Sequence, residues 1–191
     1  TAEALRVNFV GELGWELHHP IEMQNYIFDQ VMEAGAEFDI KPFGIRAMDS
    51  MRLEKSYRLI PREMSIEYSA YESGLDRFVR LDKENDFIGK KALKDWQDRG
   101  ATNGFVTLEV LGILDADARG SEAIYNNGEV VGRATSGGFG WRCGKSLALG
   151  LVKKDLTTIG TELEIEILGK KYKSVVIDES PFDPTNESLR S

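Results

Sequence analysis

The chain has 191 residues, enough for one large domain or two small ones, and its 41% hydrophobic and 29% charged residues are typical of a globular protein. The 32 acidic residues outnumber the 24 basic ones, and the resulting net charge of −8 disfavours nucleic acid and anionic membranes as partners. No apolar run reaches the roughly 18 residues that a membrane-spanning helix needs.

The cysteine and histidine content limits the chemistry further. The single cysteine, Cys143, cannot form an internal disulfide and fits a reducing compartment such as the cytoplasm, or the mitochondrial matrix in a eukaryote. His18 and His19 are neighbours on a predicted strand, so their side chains point to opposite faces and cannot bind one metal ion. The sequence begins at Thr1 rather than at a methionine, and we expect it to be a piece of a longer or processed polypeptide.

The first half of the sequence predicts a mixture of strands and helices. Leu5, Val7 and Phe9 alternate with polar residues, as in a strand with one buried face. Glycines between residues 11 and 14 permit a turn, and residues 15–19 form the returning strand. Three helices are predicted beyond this hairpin, over residues 21–35, 43–57 and 90–100.

The second half predicts short strands joined by turns. Asn126-Asn127-Gly128 and Gly169-Lys170 are turn sequences between neighbouring strands. In residues 163–168, apolar and acidic residues alternate, which predicts that Leu163, Ile165 and Ile167 face a core and Glu164 and Glu166 face solvent. The predicted strands cover residues 105–111, 123–125, 129–131, 147–152, 163–168 and 172–178.

These patterns together indicate an α+β fold with a boundary near residues 98–104. Residues 1–100 form a mixed helical and strand domain, and residues 101–191 form an antiparallel β-barrel or jelly-roll-like domain.

Three separated segments carry a family resemblance: Gly11–Leu17, Phe43–Glu54 and Gly132–Ser146. Their order and spacing resemble the T-protein-like aminomethyltransferases, which hold tetrahydrofolate and load a one-carbon unit onto it. The likeness extends to the C-terminal region of the dimethylglycine and sarcosine dehydrogenases through residues 86–93 and 181–186. The resemblance implies that residues 1–100 are the C-terminal part of a folate-binding domain and that residues 101–191 are the family's barrel.

Glu16 is the folate ligand that the resemblance implies, since it occupies the acidic position of the family's glycine-rich hairpin signature. A carboxylate suits the pterin ring because the ring presents an amino group and a ring N–H side by side. The alternative is a solvated strand glutamate. The sequence departs from the signature at Phe9 and Val10, where the family often has Tyr-Thr.

Arg46 and Trp141 are the other folate-binding candidates. The family carries a folate-contacting arginine in the segment that corresponds to residues 43–54, shifted here by about one residue. A guanidinium can pair with a carboxylate or stack on a ring. The alternative is a ladder of intrahelical salt bridges that includes Asp49 and Arg52, worth about 0.2–0.5 kcal/mol per pair.

Trp141 lies in the glycine-rich stretch Ser136–Ser146, where Gly-Lys-Ser resembles a phosphate-binding P-loop. The glycine spacing is wrong for that motif, and a strand follows instead of a helix. We therefore interpret the stretch as a connection between two barrel strands. Trp141 then either packs or contacts folate, and Arg142 and Lys145 face solvent or the carboxylates of a ligand.

The resemblance also indicates what this sequence lacks. The family's catalytic aspartate precedes the signature that here stands at the start of the sequence, so we expect no catalytic residue in this chain. A dinucleotide-binding glycine fingerprint is also missing, which places any flavin-dependent oxidation in another part of the polypeptide. The sequence predicts a tetrahydrofolate-dependent aminomethyltransferase in the intact protein. The alternatives are a non-catalytic folate-binding domain and a structural domain.

Overall fold

A computed structural model describes residues 1–113 and 115–190. Its first half contains a small sheet, three α-helices and short 3-10 turns, which confirms the predicted mixture, with shorter elements than the sequence indicated. Leu5 pairs with Glu16 in the antiparallel sheet. The elements are β1 (Glu3–Leu5), β2 (Glu16–His18), α1 (Gln24–Gly35), α2 (Ile45–Leu53) and α3 (Lys90–Arg99), and a short α4 (Glu187–Arg190) follows near the C-terminus.

The second half is a closed barrel of six strands, and every neighbouring pair is antiparallel. Around the barrel the order is β3, β6, β5, β4, β7, β8, which confirms the predicted barrel. A closed barrel leaves no free edge strand for non-specific pairing. The strands are β3 (Asn103–Val110), β4 (Ala123–Asn126), β5 (Glu129–Gly140), β6 (Lys145–Lys153), β7 (Glu162–Ile167) and β8 (Lys170–Ile177).

The glycine-rich stretch after Thr135 was expected to be a connection, and most of it is strand. β5 continues to Gly140, which pairs with Lys145 of β6, so only residues 141–144 form the turn. Glycine is required here because another element lies against the strand. A Cβ on Gly140 would lie 2.8 Å from Cγ of Glu54.

The barrel contains the main hydrophobic core. The predicted alternation in β7 is confirmed: Leu163, Ile165 and Ile167 are buried, whereas Glu164 and Glu166 are partly exposed. Burying one such aliphatic side chain stabilises a fold by about 1.5–3 kcal/mol. The core also includes Val106, Leu108, Val110, Ile124, Val131, Val152 and Val176.

The first half buries far less. No residue of α1 is buried, and large apolar side chains such as Trp15, Tyr26 and Phe28 are half exposed or more. Leu53 at the end of α2 is the exception, because it packs with Phe105 and Leu149 of the barrel. Within residues 1–113 and 115–190, no helix combines the length and hydropathy needed to cross a bilayer.

Candidate functional site

Glu16 lies at the start of β2 and is exposed to solvent. Its Oε2 atom lies 3.1 Å from Nε2 of His18, because residues two apart on a strand share one face. This contact is an ion pair only when His18 is protonated. The carboxylate is therefore held by one weak local partner and is accessible to a ligand.

Arg46 lies in the first turn of α2 and is exposed. It takes no part in the predicted salt-bridge ladder, because Asp49 pairs with Arg52 at 2.7 Å instead. No ion pair or hydrogen bond to the Arg46 guanidinium occurs among the described residues. Its charge is thus available to a ligand.

Trp141 begins the turn between β5 and β6, and 80% of its surface is exposed. The edge of its indole contacts the Phe139 ring, with 4.9 Å between the ring centroids. The carbonyl of Phe139 in turn accepts a hydrogen bond from Ser50 Oγ of α2 at 2.6 Å. The turn is thus attached to the helix that carries Arg46, while most of the indole surface remains free.

Glu16, Arg46 and Trp141 make no hydrogen bond, ion pair or ring contact with one another. Their segments are connected instead through Arg142, the residue after Trp141. Its guanidinium donates to Glu12 at 2.7 Å and to the carbonyl of Val10 at 3.0 Å, both in the hairpin connection.

Arg142 also joins the turn to α2, which corrects the expectation that it faces solvent or the carboxylates of a ligand. It donates to the carbonyl of Met51 at 2.9 Å and to the carboxylate of Glu54, and its guanidinium lies 3.8 Å from the centroid of the Phe182 ring. Lys145 is likewise not free, because it pairs with Glu109 of β3. Both cations neutralise the protein's own carboxylates rather than a ligand.

A second ionic cluster lies beneath α2. Arg52 forms the predicted pair with Asp49, but it is fully buried, so the surface ladder expected from the sequence is wrong for this residue. Its guanidinium also donates to Ser136 Oγ at 2.8 Å and to Glu63 at 3.4 Å. Glu63 is itself fully buried and accepts hydrogen bonds from Thr135 and Ser136 of β5, both at 2.6 Å.

Lys55 connects the segment after α2 to the C-terminal part of the chain. Its Nζ atom donates to the carbonyls of Phe182 and Asp183 at 3.1 and 2.6 Å, and to Asn186 Oδ1 at 2.9 Å. Burial lowers the pKa of Lys55, and the charge of Asp183 opposes this shift. The Pro181–Asn186 segment therefore forms part of the same junction.

The sequence analysis did not identify this buried junction. Arg52, Glu54, Lys55 and Arg58 are all buried within seven consecutive residues, where charge alone suggested an exposed helix face. The available signal was the density of charged residues at the end of α2 and directly after it, since four charges in such a short segment need partners if they are buried.

No group of three His, Cys, Asp or Glu side chains suited to a metal ion occurs in residues 1–113 and 115–190. Cys143 is partly buried. Burial, followed by the nearby charge of Glu54, raises the pKa of the Cys143 thiol, so at neutral pH the residue is not an activated nucleophile.

The architecture matches a solved enzyme structure. The crystal structure of the glycine cleavage system aminomethyltransferase T from Bartonella henselae aligns with 95% of this chain at a TM-score of 0.86 and 24% sequence identity. This chain covers 50% of that one. The fold is thus the one found in T-type aminomethyltransferases.

Two family models match the sequence. The GCVT N-terminal domain matches residues 1–83, and the glycine cleavage T-protein C-terminal barrel domain matches residues 104–183. The chain belongs to the glycine cleavage T-protein family, which confirms the resemblance found in the sequence.

Several curated proteins are similar over nearly the whole chain. Human mitochondrial dimethylglycine dehydrogenase is 43% identical over 98% of this chain, which corresponds to 22% of the human protein. Mouse mitochondrial sarcosine dehydrogenase is 34% identical over 98% of this chain and 21% of its own length. An aminomethyltransferase from Bacillus cytotoxicus is 35% identical over 93% of this chain and 48% of its own. The chain therefore spans between about a fifth and a half of these relatives.

Proposed function

We propose that this chain is the C-terminal part of a tetrahydrofolate-dependent aminomethyltransferase and that it supplies one side of the folate pocket. In the intact protein, the folate amine attacks the carbon of an iminium or aminomethyl group, and the product is 5,10-methylenetetrahydrofolate. The part of this chain in the reaction is to bind and orient folate. The catalytic aspartate is contributed by a preceding part of the polypeptide.

The position of Arg142 is the observation that carries this proposal. The three candidate ligands come from segments far apart in sequence, and one guanidinium fastens all three segments together. Arg142 belongs to the turn that begins with Trp141, and its guanidinium binds Glu12 in the hairpin connection and Glu54 after α2. A pocket that takes one ligand side chain from each segment needs such a fixed frame.

Each candidate has a distinct role in the proposed pocket. Glu16 accepts two hydrogen bonds from the amino group and ring N–H of the pterin, an interaction worth about 1.5–3 kcal/mol when shielded from water. Arg46 pairs with a carboxylate of the folate tail, since its guanidinium has no other described partner. Trp141 offers an exposed indole on which an aromatic ring can stack.

The exposed apolar side chains of the first half indicate what completes the pocket. Trp15, Tyr26 and Phe28 are each at least half exposed, and exposed apolar surface of this kind is typical of an interface. We propose that a preceding part of the same polypeptide covers this surface, as the partial coverage of the relatives suggests. In a dehydrogenase-like parent protein, that preceding part also includes a flavin oxidase module.

Titration of the intact parent protein with 5-formyltetrahydrofolate, a non-reactive analogue, tests the binding role. Glu16→Gln should weaken binding by about tenfold or more, because an amide cannot accept both pterin hydrogen bonds. Glu3→Gln is the matched control, since Glu3 lies on the neighbouring strand, is exposed and has no described side-chain partner. Equal affinities for the two variants would exclude Glu16 as a ligand.

Turnover separates the enzyme from the non-catalytic alternative. The intact protein should form 5,10-methylenetetrahydrofolate from an aminomethyl or iminium donor, whereas binding without turnover would indicate a folate-binding domain. The 191-residue chain by itself should give no product. Product formation by the pure chain would contradict the assignment of the catalytic residue to another part of the polypeptide.

A further inference from the structure

Three arginines line a small cavity beside the barrel. Glu16, Arg46 and Trp141 are not among the residues that line it. The cavity has a volume of about 290 Å³. Its lining includes Arg62, Arg119 and Arg133. The chain has a net charge of −8, so three guanidiniums around one cavity form a positively charged patch on an otherwise acidic protein.

The backbone that carries these arginines is held firmly in place. Arg62 is followed by Glu63, which is fully buried and bonded to β5. The backbone N–H of Ser121 donates to the carbonyl of Ala134 at 2.7 Å, which fixes the loop after Arg119 against the same strand. A fixed frame lowers the entropy that is lost when a ligand binds.

Two of the three guanidiniums have no carboxylate partner in the part of the chain that the structure describes. Among the described residues, Arg62 donates only to the carbonyl of Arg119, at 3.4 Å, and the Arg119 guanidinium forms no hydrogen bond, ion pair or ring contact. Arg133 pairs with Glu67 and lies 5.4 Å from the centroid of the Tyr68 ring.

The nearby acids Glu63 and Glu122 are already engaged. Glu63 accepts hydrogen bonds from Thr135 in the cavity lining and from the buried Arg52. The carboxylate of Glu122 is bound by the backbone amides of Arg119 and Gly120, at 2.8 and 2.7 Å. The charges of Arg62 and Arg119 are therefore not matched by an ion pair with any residue that the structure describes.

We propose that this cavity is a binding site for a phosphate-type oxyanion, either free phosphate or the phosphate group of a monoester. Guanidinium groups match such oxyanions because each presents two parallel N–H donors. Apart from Pro61 and Ala134, the lining is formed by arginines, Gly120 and hydroxyl residues, so it favours a small polar anion over an apolar group. Ser121 also lines the cavity and carries a hydroxyl that can donate to an anion, whereas the hydroxyl of Thr135 already donates to Glu63.

Calorimetric titration of the 191-residue chain tests this site. Inorganic phosphate, glycerol phosphate and chloride are titrated separately at constant ionic strength, so that general screening of charge is the same in each experiment. Both phosphate species should bind saturably at one site, and chloride should give no saturable signal. Whichever phosphate species binds more tightly identifies the source of the group.

Arg119→Gln and Arg62→Gln should each weaken phosphate binding by about tenfold or more, because each removes a charge-assisted hydrogen bond. Neither side chain supports the fold through an ion pair, so both variants should unfold at the same urea concentration as the parent chain. Arg99→Gln is the matched control: it makes the same change of charge on α3, where Arg99 lies 3.9 Å from the centroid of the Trp96 ring. Absence of saturable phosphate binding, or equal weakening by all three substitutions, would overturn the proposal.

Discussion

Glu54 and Arg142 lie 88 residues apart in the sequence, and the Glu54 carboxylate binds both the backbone N–H and the guanidinium of Arg142. Glu54 Oε1 accepts a hydrogen bond from the backbone amide of Arg142 at 2.6 Å, and Oε2 accepts from its guanidinium. The Glu54 side chain is fully buried, so its charge depends on this arginine. The same contact fixes the position of the turn that presents Trp141.

Arg142→Ala should lower the free energy of unfolding by about 3–5 kcal/mol, because it leaves the buried charge of Glu54 without its cationic partner. Arg142→Lys should also be clearly destabilising, since an ammonium cannot reproduce a fork of donors that reaches Glu12 and Glu54 together. Urea unfolding followed by tryptophan fluorescence measures both losses. As a control, Arg6→Ala should change stability by no more than about 0.5 kcal/mol, because Arg6 is exposed and has no described ion pair.

Glu63→Ala should lower the free energy of unfolding by about 3–5 kcal/mol. The reason is that Arg52 would stay buried after losing its contact with the buried Glu63 carboxylate. Replacing both residues, with Arg52→Met and Glu63→Leu, should cost less than the sum of these two single changes, because no fully buried charge is left without a partner and Asp49, which also loses Arg52, is partly exposed. The measurement is a double-mutant cycle in urea. Strictly additive losses would contradict an energetic coupling between the two residues. Glu84→Ala is the control for an exposed acid.

Ile165→Ala in β7 should destabilise the barrel by about 2–5 kcal/mol, because Ile165 is completely buried. Glu164→Gln should stay within about 0.5 kcal/mol, since its contact with Lys171 is long, at 4.0 Å, and partly exposed. Urea unfolding of the two variants compares adjacent positions on opposite faces of one strand. Equal losses would be inconsistent with the observed register.

The thiol of Cys143 should react more slowly than that of the unfolded chain at any pH between 7 and about 8.5, because its pKa is raised by burial and by Glu54. The rate of reaction with a chromogenic disulfide, measured against pH, checks this. The inflection for the folded chain should lie above the value of about 8.5 found for unfolded cysteine. An inflection below it would mean that the site activates the thiolate.

The same shift has a consequence for stability. A raised pKa favours the protonated thiol in the folded state, so this contribution is fully present below the unfolded pKa of about 8.5 and is lost as the pH rises through the higher folded value. The free energy of unfolding should therefore fall more steeply above pH 8.5 in the parent chain than in a Cys143→Ala variant. Parallel curves for the two proteins would contradict the shift.

Local patterns in the sequence determined the secondary structure of this protein. The alternation of Leu163, Ile165 and Ile167 with acidic residues was sufficient for the register of β7, because a charged side chain in the core costs much more than an exposed one. The resemblance of three short segments was sufficient for the family and, together with the barrel pattern, for the fold. The roles of Glu16, Arg46 and Trp141 stay predictions, because binding requires a ligand and the rest of the pocket.

The tertiary structure decided which charged residues are buried. Arg142 was expected to face solvent or the carboxylates of a ligand, yet its hydrogen-bond partners in the protein lie 88 to 132 residues away in the sequence. No local periodicity encodes such a contact, because a buried ion pair is favourable only when distant segments bring both charges and their hydrogen-bond partners to one place. For the same reason, the burial of Arg52 and Glu63 and the cavity of three arginines appeared only once the barrel and the α2 segment were placed together.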